Sequence, residues 1–390
     1  MGSYLCSRSY LWTAPWLWTT RRTSSRTVSA SLDRPRSWRC LVRPVLTPAV
    51  RRLWRDRETL QLGRGRTTVL AGVDPGVRSA LALLDGTRDH DQVVVAAAAV
   101  GCAPDRTAAL LRLLDSAGML DDAGGDPAVL AGLAPVERDR FTADLGSLAL
   151  LRGDGGRSAT RQRRATRLLV LGAGRVGGPL AALLAGAGIG TVDIIDDSTA
   201  RPEDSGVGGL GLADVGRNRG QAARDRLLAS SPSVTPLLAA HPDLVVLAPA
   251  GPEQLDAARE RLPAGVPHLL AEVRDTVGVV GPLVLPGRST CLRCTELTRT
   301  DLDPDWPALA AQLALPSRHR GACDGVLAVM VAAQAALQVL LLVDGAADPA
   351  SVGGTLELEL PDWRWRRRTW PVHPDCGCAP VAGLRVAAGH

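Results

Sequence analysis

The sequence predicts an α/β fold with a doubly wound, mainly parallel sheet, and three observations support this class. Short apolar runs typical of strands alternate with helical runs from Arg167 onward. A glycine-rich turn connects the first strand to the first helix, and an acidic residue follows the second strand. Such alternation is typical of parallel strands covered by helices on both faces. The predicted elements are strands at 168–171, 191–195 and 244–247, a helix at 176–184, further strands within 267–286 and an irregular tail.

The composition is that of a globular protein without a strong preference for nucleic acid. Of the 390 residues 46% are hydrophobic, and the formal net charge is only +5. No lysine occurs in the chain, which excludes enzymes that need a P-loop lysine, a Schiff-base lysine or a lysine general base. Most of the cysteines lie in the last hundred residues. We therefore expect a cytoplasmic chain with a metal site and not a secreted disulfide scaffold.

Four segments of the chain differ in composition. Residues 1–40 are rich in arginine, serine and tryptophan and are predicted to be a disordered extension, with a targeting peptide as the alternative. Residues 41–124 contain an alternating hairpin around Gly63 and Gly65 followed by three helical segments, which together indicate a winged-helix module. Residues 125–166 are predicted to be a linker with one helix near 136–151. Residues 167–390 hold the α/β domain.

The most apolar stretch, residues 326–343, is barely long enough to cross a membrane. Gln334 and Gln338 lie near its middle, and Asp324 and Asp344 flank it. Because two amides and flanking carboxylates disfavour a short membrane span, we predict a buried helix and no membrane association.

The glycine-rich turn is the strongest chemical signal in the chain. Gly172, Gly174 and Gly177 form a G-x-G-x-x-G pattern between a strand and a helix. Glycines allow close backbone approach, and the helix N-terminus favours phosphate. An acidic residue about 20 positions later holds ribose hydroxyls in such folds, and Asp196 occupies that place. The pattern predicts a Rossmann-like nucleotide-binding domain.

In chain order, this turn, residues 214–219, a C-x-x-C pair and residues 321–327 resemble the ThiF/MoeB/HesA adenylyltransferases over about 137–378. That family adenylates the C-terminal carboxylate of a small protein. The resemblance therefore implies a nucleotidyltransferase of the ubiquitin-like modifier activating type that uses ATP with Mg²⁺.

The resemblance also implies roles for single residues. Arg219 falls on the family's ATP-binding lysine, and Arg140 resembles the arginine that one subunit lends to the other in a homodimer. Cys323 stands where sulfur-transferring relatives carry a reactive cysteine, although a small buried residue at a helix start is an equally good interpretation.

Two departures from the family pattern indicate a degenerate ATP site. The family's phosphate-contacting arginine is missing from residues 204–207, and the magnesium-binding aspartate falls near Gly251. Without these charges, the departure of pyrophosphate loses stabilisation.

The last hundred residues carry the spacing of a structural metal site. Cys291 and Cys294 form a C-x-x-C pair, and Cys376 and Cys378 form a C-x-C pair. Thiolates at such spacings reach one tetrahedral Zn²⁺. His373 is available as a substitute for Cys378, so the fourth ligand is left open.

Residues 45–120 resemble the PqqD-like peptide-recognition domain of ribosomal natural-product pathways, which binds a leader peptide as an added strand. Two functions follow. The first is a protein with a degenerate ATP site that binds a precursor peptide or small carrier protein and presents it to a partner modifying enzyme. The second is an active ATP-dependent adenylyltransferase. The three helices of the module lack a basic face, so we do not expect nucleic-acid binding.

Overall fold

The computed structural model describes residues 43–64, 67–124, 127–152, 154–237, 241–315 and 322–378. The predicted extension over residues 1–40 lies outside this range. The first described elements form a small unit of short strands and three helices. They are β1 (Pro44–Leu46), β2 (Arg52–Trp54), β3 (Leu60–Leu62), β4 (Thr68–Leu70), α1 (Pro75–Ala82), α2 (His90–Ala99), α3 (Pro104–Ser116) and β5 (Leu120–Asp122).

The predicted hairpin is confirmed, but it belongs to a larger sheet. β3 and β4 are antiparallel, and β2 pairs with the other side of β3, while β1 pairs with β5. The three helices match the predicted segments, and two of them start as expected for their sequences. Asp74 caps α1 by accepting from the Val77 N–H, and Asp89 forms a capping box with Gln92 at α2.

A seven-stranded sheet forms the centre of the rest of the chain, and the predicted α/β class is confirmed. Its strands lie in the order β12-β11-β10-β9-β8-β6-β7. Strands β6 to β9 are mutually parallel, and β10 to β12 extend the sheet with antiparallel pairs. The bounds are β6 (Arg167–Leu171), β7 (Thr191–Ile195), β8 (Leu244–Leu247), β9 (His268–Arg274), β10 (Val277–Val284), β11 (Gly354–Glu359) and β12 (Arg364–Thr369).

Helices cover both faces of this sheet. One core cluster joins α6 and α11 to one face, and a second cluster lies on the opposite face with residues of α8 and α9. The helices are α4 (Pro135–Arg152), α5 (Arg157–Ala165), α6 (Gly177–Gly186), α7 (Arg219–Ser230), α8 (Leu255–Glu260), α9 (Leu292–Leu302), α10 (Trp306–Leu313) and α11 (Gly325–Asp344).

The apolar stretch near residue 330 forms α11. Among the described residues it is the one helix whose length and composition would allow it to cross a membrane. Its residues Val331, Ala335 and Val339 are fully buried and share a core with Leu269 and Val280 of the sheet. α11 therefore packs as a core helix, as the sequence analysis predicts.

The strand order creates a switch point beside β6. The chain passes from β6 through α6 to β7 on one side and later enters β8 on the other side. Loops that leave the carboxyl ends of β6 and β8 therefore separate and open a crevice, which is where open α/β sheets bind ligands. Both the glycine-rich turn and residues 248–251 lie at this crevice.

Two expectations about less regular segments are wrong. The tail is not irregular throughout, because β11 and β12 form a hairpin at the edge of the sheet. Residues 125–166 contain a second helix, α5, besides the expected one. Arg163 of α5 makes a bidentate ion pair with Asp344 at the end of α11, with Nε–Oδ1 2.8 Å and Nη2–Oδ2 2.6 Å, so this part of the supposed linker packs on the α/β core.

Candidate nucleotide site and cysteine cluster

The glycine-rich turn has the close backbone packing that its sequence predicts. Gly172 has φ +111°, and a Cβ at this position would overlap the carbonyl oxygen of Ala248 at the end of β8. A Cβ at Gly177 would overlap the carbonyl oxygen of Gly172. Because neither position has room for a side chain, both glycines are required for the turn itself.

Asp196 lies at the end of β7, directly beside this turn. Its Oδ2 accepts from the Ala173 N–H at 2.8 Å, and its Oδ1 accepts from the Ser198 N–H at 3.0 Å. The Arg219 Nε donates to Oδ2 at 2.7 Å. Asp196 therefore lies against the turn, and most of its acceptor capacity is already used.

Arg219 begins α7 and is bracketed by two carboxylates. Besides Asp196, it contacts Asp204 with Nη1–Oδ1 2.9 Å, and its Nη2 donates to Gln254 Oε1 at 3.1 Å. Arg219 is 4% exposed, and both aspartates are 8% exposed. Burial raises the pKa of Asp196, but the Arg219 charge and main-chain N–H groups bring this pKa below its ordinary value.

Asp204 is the partner that the sequence analysis missed. It ends a short 3₁₀ helix, Pro202–Asp204, within the segment in which the family's arginine is absent. Asp204 Oδ1 lies 4.0 Å from the Cβ position of Gly174, and Gly209 Cα lies 3.3 Å from that of Gly178. This segment therefore lies over the start of α6, and the Asp204 carboxylate lies beside the glycine-rich turn.

A cavity of about 140 Å³ opens next to Asp196. Residues from the ends of β6 and β7 and from the region of α8 form its walls. These include Gly172, Asp196, Ser198, Pro249, Gln254, Ala258 and Arg261. The cavity lies at the switch point, so a ligand in it would contact both the turn and Asp196.

Residues 248–251 contain no carboxylate, yet one lies close by. The Oε1 atom of Glu253 lies 2.6 Å from the Cβ position of Gly251. A side chain at position 251 would therefore enter the space that the Glu253 carboxylate fills. Glu253 lies just beyond residues 248–252, the segment in which the family's aspartate was expected.

Arg140 and Cys323 are not joined to this site by their side chains. Arg140 Nη1 donates to the Ser230 carbonyl at the end of α7, whereas the glycine-rich turn lies near the start of α7. Burial raises the pKa of the Cys323 thiol, although Arg175 lowers it in part. A half-buried thiol with a raised pKa is a poor nucleophile, so this geometry favours the interpretation as a buried residue at a helix start.

The four predicted cysteine ligands converge. Their ligand atoms all lie within 4.8 Å of one another, with Sγ–Sγ distances of 3.8 Å for Cys291–Cys294, 3.5 Å for Cys291–Cys376 and 3.3 Å for Cys294–Cys378. Tetrahedral coordination at a metal–sulfur distance of about 2.3 Å requires S–S separations of about 3.8 Å. The cluster could therefore hold one metal ion.

His373 supports the cluster and is not part of it. Its main-chain N–H donates to Cys294 Sγ at 3.3 Å. Its ring Nε2 lies 2.8 Å from Asp301 Oδ2, and its ring Nδ1 accepts from the Asp375 N–H at 3.1 Å. Burial raises the pKa of Cys294, but hydrogen bonds from the backbones of His373 and Cys291 lower it to about 7. Both ring nitrogens are engaged elsewhere, so Cys378 completes the set of four.

The parallel core, the turn at the switch point and the acid after β7 define an α/β protein of the Rossmann type. The model of the ThiF family matches residues 148–249 of the chain. A probable adenylyltransferase/sulfurtransferase, MoeZ of Mycobacterium tuberculosis, is 36% identical over 86 residues. This match covers 21% of the present chain and 21% of the length of MoeZ.

Solved structures with the same fold include E. coli MccB with ATP, with a TM-score of 0.64 and 15% identity over 86% of this chain and 99% of that chain. The microcin C7 biosynthetic enzyme MccB in complex with N-formylated MccA gives a TM-score of 0.61 and 15% identity, with the same coverage of 86% and 99%. At this identity the likeness establishes the shared fold.

Proposed function

We propose that this protein binds a ribosomal precursor peptide or a small carrier protein and presents it to a partner enzyme, while its own ATP site is degenerate. The observation that carries the proposal is the clamp of Arg219 between Asp196 and Asp204. Asp196, the residue expected to hold ribose, already binds the guanidinium of Arg219. The Asp204 carboxylate lies beside the glycine-rich turn, which is expected to hold phosphate.

Charge supports the degenerate site. A nucleotide triphosphate brings several negative charges, and transfer of its α-phosphate builds more charge that must be neutralised. Here the Arg219 charge is offset by Asp196 and Asp204 at 2.7 and 2.9 Å. Because the Arg219 charge is already offset, we expect weak binding of an adenine nucleotide and slow or absent adenylation.

The outer edge of β2, which pairs with no other strand in the described part of the chain, is the proposed peptide site. Its three residues are all exposed, and Leu53 and Trp54 are 38% and 45% exposed. The Gly63 N–H donates to the Arg51 carbonyl and the Arg55 N–H donates to the Thr59 carbonyl, each at 2.9 Å. Because pairing alternates along an antiparallel strand, the main-chain groups of residues 52 and 54 point away from β3 and can accept an added strand.

The charges of this unit support a peptide over DNA. Arg106 of α3 pairs with Asp74 and also donates to the Gly72 carbonyl at 2.8 Å. Arg78 stacks over Trp54 at 4.1 Å from the ring centroid. A DNA-reading helix needs free basic side chains, whereas the charge of Arg106 is already offset.

The remaining assignments complete the proposal. The ion at the four cysteines is zinc in a structural role, because four protein ligands leave no open position. A homodimer and a cytoplasmic location agree with the ThiF-family domain and with the packing of α11 in the core.

The test combines peptide binding with pyrophosphate exchange. Fluorescein-labelled synthetic peptides copied from the short reading frames beside the gene, and duplex DNA, would be titrated into the full chain. ATP–pyrophosphate exchange with Mg²⁺ would follow in the presence of any peptide that binds. We expect saturable peptide binding and little exchange. Salt-sensitive binding to DNA without affinity for any peptide would contradict the proposal.

An active adenylyltransferase is the second candidate, and Glu253 favours it. Its carboxylate fills the space beside Gly251, where the sequence lacks the expected aspartate, and hard carboxylate oxygens suit Mg²⁺. Rapid exchange that is lost in Glu253→Gln and kept in Glu260→Gln would select this function over the first.

A further inference from the structure

We propose that a cavity beside the cysteine cluster is the entrance for its metal ion, and that His268 binds the ion on its way in. The inference rests on the proposed metal site at the four cysteines. The cavity has a volume of about 260 Å³, several times the roughly 30 Å³ that one water molecule occupies in the liquid. It can therefore admit an ion that still carries part of its hydration shell. The residues that line it include Pro263, Ala264, His268, Val284, Cys291 and Cys378.

This cavity lies at the opposite end of the large sheet from the glycine-rich turn. His268 is the first residue of β9, and it pairs with Val284, the last residue of the antiparallel strand β10. β9 runs parallel to β8 and β6, and the carboxyl end of β6 leads into the turn. Because the amino end of β9 and the turn lie at opposite edges of the sheet, the entrance is separate from the nucleotide crevice.

Two of the four cysteines face this cavity. Cys291 and Cys378 line it and are partly exposed, whereas Cys294 and Cys376 are 0% and 3% exposed. An ion that enters through the cavity therefore meets the first two thiols before it reaches the two buried ones. A protein metal site needs such a path from solvent in addition to its ligands.

His268 supplies an independent second observation. It is 8% exposed, and its ring Nδ1 lies 3.0 Å from the Val266 carbonyl oxygen. Because a carbonyl can only accept, Nδ1 carries the proton of the neutral ring and Nε2 keeps its lone pair. Nε2 forms no hydrogen bond with any described residue. Arg259 acts on the same ring, but its charge is offset by Asp256 and Glu296 at 3.3 and 3.9 Å. A neutral imidazole with a free nitrogen is a common ligand of zinc and similar ions.

His268 acts as a transient ligand, because the final site is complete without it. Four thiolates fill the tetrahedral coordination of a structural zinc ion. An interaction that is made only on the path into a site changes the rates of uptake and release by the same factor and leaves the affinity unchanged. Loss of His268 should therefore slow the exchange of the ion without weakening its binding.

The test follows the replacement of zinc by cadmium in the full chain. Elemental analysis first gives the zinc content, and the growth of the cadmium–thiolate absorption band then gives the rate of exchange. His268→Phe removes Nε2 and keeps an aromatic ring, and we expect exchange to be about tenfold slower, the scale on which residues around metal ligands act. Ala264→Trp, at an exposed position in the cavity wall, should also slow exchange, because it narrows the cavity without changing a ligand. Ala346→Trp, in the exposed turn after α11, is its matched control and should exchange like the wild type.

The final ratio of cadmium to zinc should be the same in all four proteins, which separates a role on the path from a structural role. A wild-type rate of exchange in either His268→Phe or Ala264→Trp would overturn the proposal. A changed final ratio in His268→Phe at a wild-type rate would also overturn it, because His268 would then support the cluster itself. If His268→Phe does not fold, as judged by circular dichroism, Ala264→Trp decides the question alone.

The entrance and the metal site fail in different ways. A chain that is purified without metal and also binds no cadmium would remove the metal site, and the entrance with it. A zinc-loaded chain whose variants exchange at the wild-type rate would keep the metal site and remove only the entrance.

Discussion

Arg219 Nε lies 2.7 Å from Asp196 Oδ2, so the residue expected to bind ribose is bound instead by the residue expected to bind phosphate. Both side chains are buried, at 4% and 8% exposure. Removal of one partner from such a pair leaves an uncompensated charge, which is strongly destabilising. Loss of either partner is therefore expected to destabilise the fold.

Asp204→Asn should strengthen ATP binding. The substitution removes a negative charge beside Gly174 while keeping a side chain of similar size. We expect the Kd for ATP to fall about tenfold, or about 1.4 kcal/mol, the scale of one charge at close range near a protein surface. Calorimetry measures the change, and Asp225→Asn, on the exposed side of α7, is the matched control. Unchanged or weaker ATP binding in Asp204→Asn alone would show that Asp204 does not limit the site.

Because of Asp196, the free energy of unfolding should fall as the pH becomes acidic. Although burial raises its pKa, Arg219 and main-chain N–H groups lower it below the ordinary value, here 3.8. A carboxyl with a lowered folded-state pKa contributes stability above about pH 4 and loses it as the pH falls through the folded value. Urea unfolding from pH 6 to pH 3 should show a steeper loss in the wild type than in Asp196→Asn. Parallel curves for the two proteins would exclude this contribution.

One zinc per chain should bind to Cys291, Cys294, Cys376 and Cys378. Elemental analysis of protein purified without chelators should give about one ion per chain, because the four thiols match a single tetrahedral ion. Cys378→Ser should lose the ion. His373→Gln should keep it with nearly unchanged affinity, because the contact to Cys294 is made by the His373 main-chain N–H, which the substitution leaves in place. Retention of the ion in Cys378→Ser with its loss in His373→Gln would reverse the assignment of the fourth ligand.

Arg52→Pro should weaken peptide binding without unfolding the chain. The substitution removes an outward-facing N–H at the free edge of β2, a position at which proline is tolerated. We expect the Kd for the peptide to rise about 5- to 10-fold, the scale of one net hydrogen bond of about 1 kcal/mol. Arg52→Ala removes the same charge and keeps the N–H, so it should bind like the wild type. Equal losses in both variants would indicate that charge, not strand addition, controls binding.

Asp344→Ala should destabilise the chain by about 3 kcal/mol, because Arg163 would remain buried after the loss of this bidentate partner. Asp348→Ala, in the exposed loop after α11, is the control and should change the free energy of unfolding by less than about 0.5 kcal/mol. Chemical denaturation measures both. A small effect in Asp344→Ala would mean that α5 does not depend on this contact for its packing.

Several features of the fold follow from local sequence alone. The parallel core from β6 to β8, the turn at Gly172 and the acid at Asp196 were all predictable, because strands and turns depend on side-chain alternation and on short glycine spacings. The edge hairpin β11–β12 was not predicted. Its arginine-rich second strand lacks the apolar alternation of a buried strand, and its pairing becomes visible only beside β10.

The sequence by itself determined the class of the fold, the position of the glycine-rich turn and three of the four cysteines that meet, with Cys378 and His373 left as alternatives for the fourth place. Only the tertiary structure decided that Asp204 contacts Arg219 across 15 positions and that Cys378, with Sγ 3.3 Å from Cys294 Sγ, takes the fourth place in the cysteine cluster. It also placed Glu253 beside Gly251 and turned the His373 ring towards Asp301. Such contacts depend on how strands and loops pack in space, and the residues involved have no fixed spacing along the chain that a motif could report.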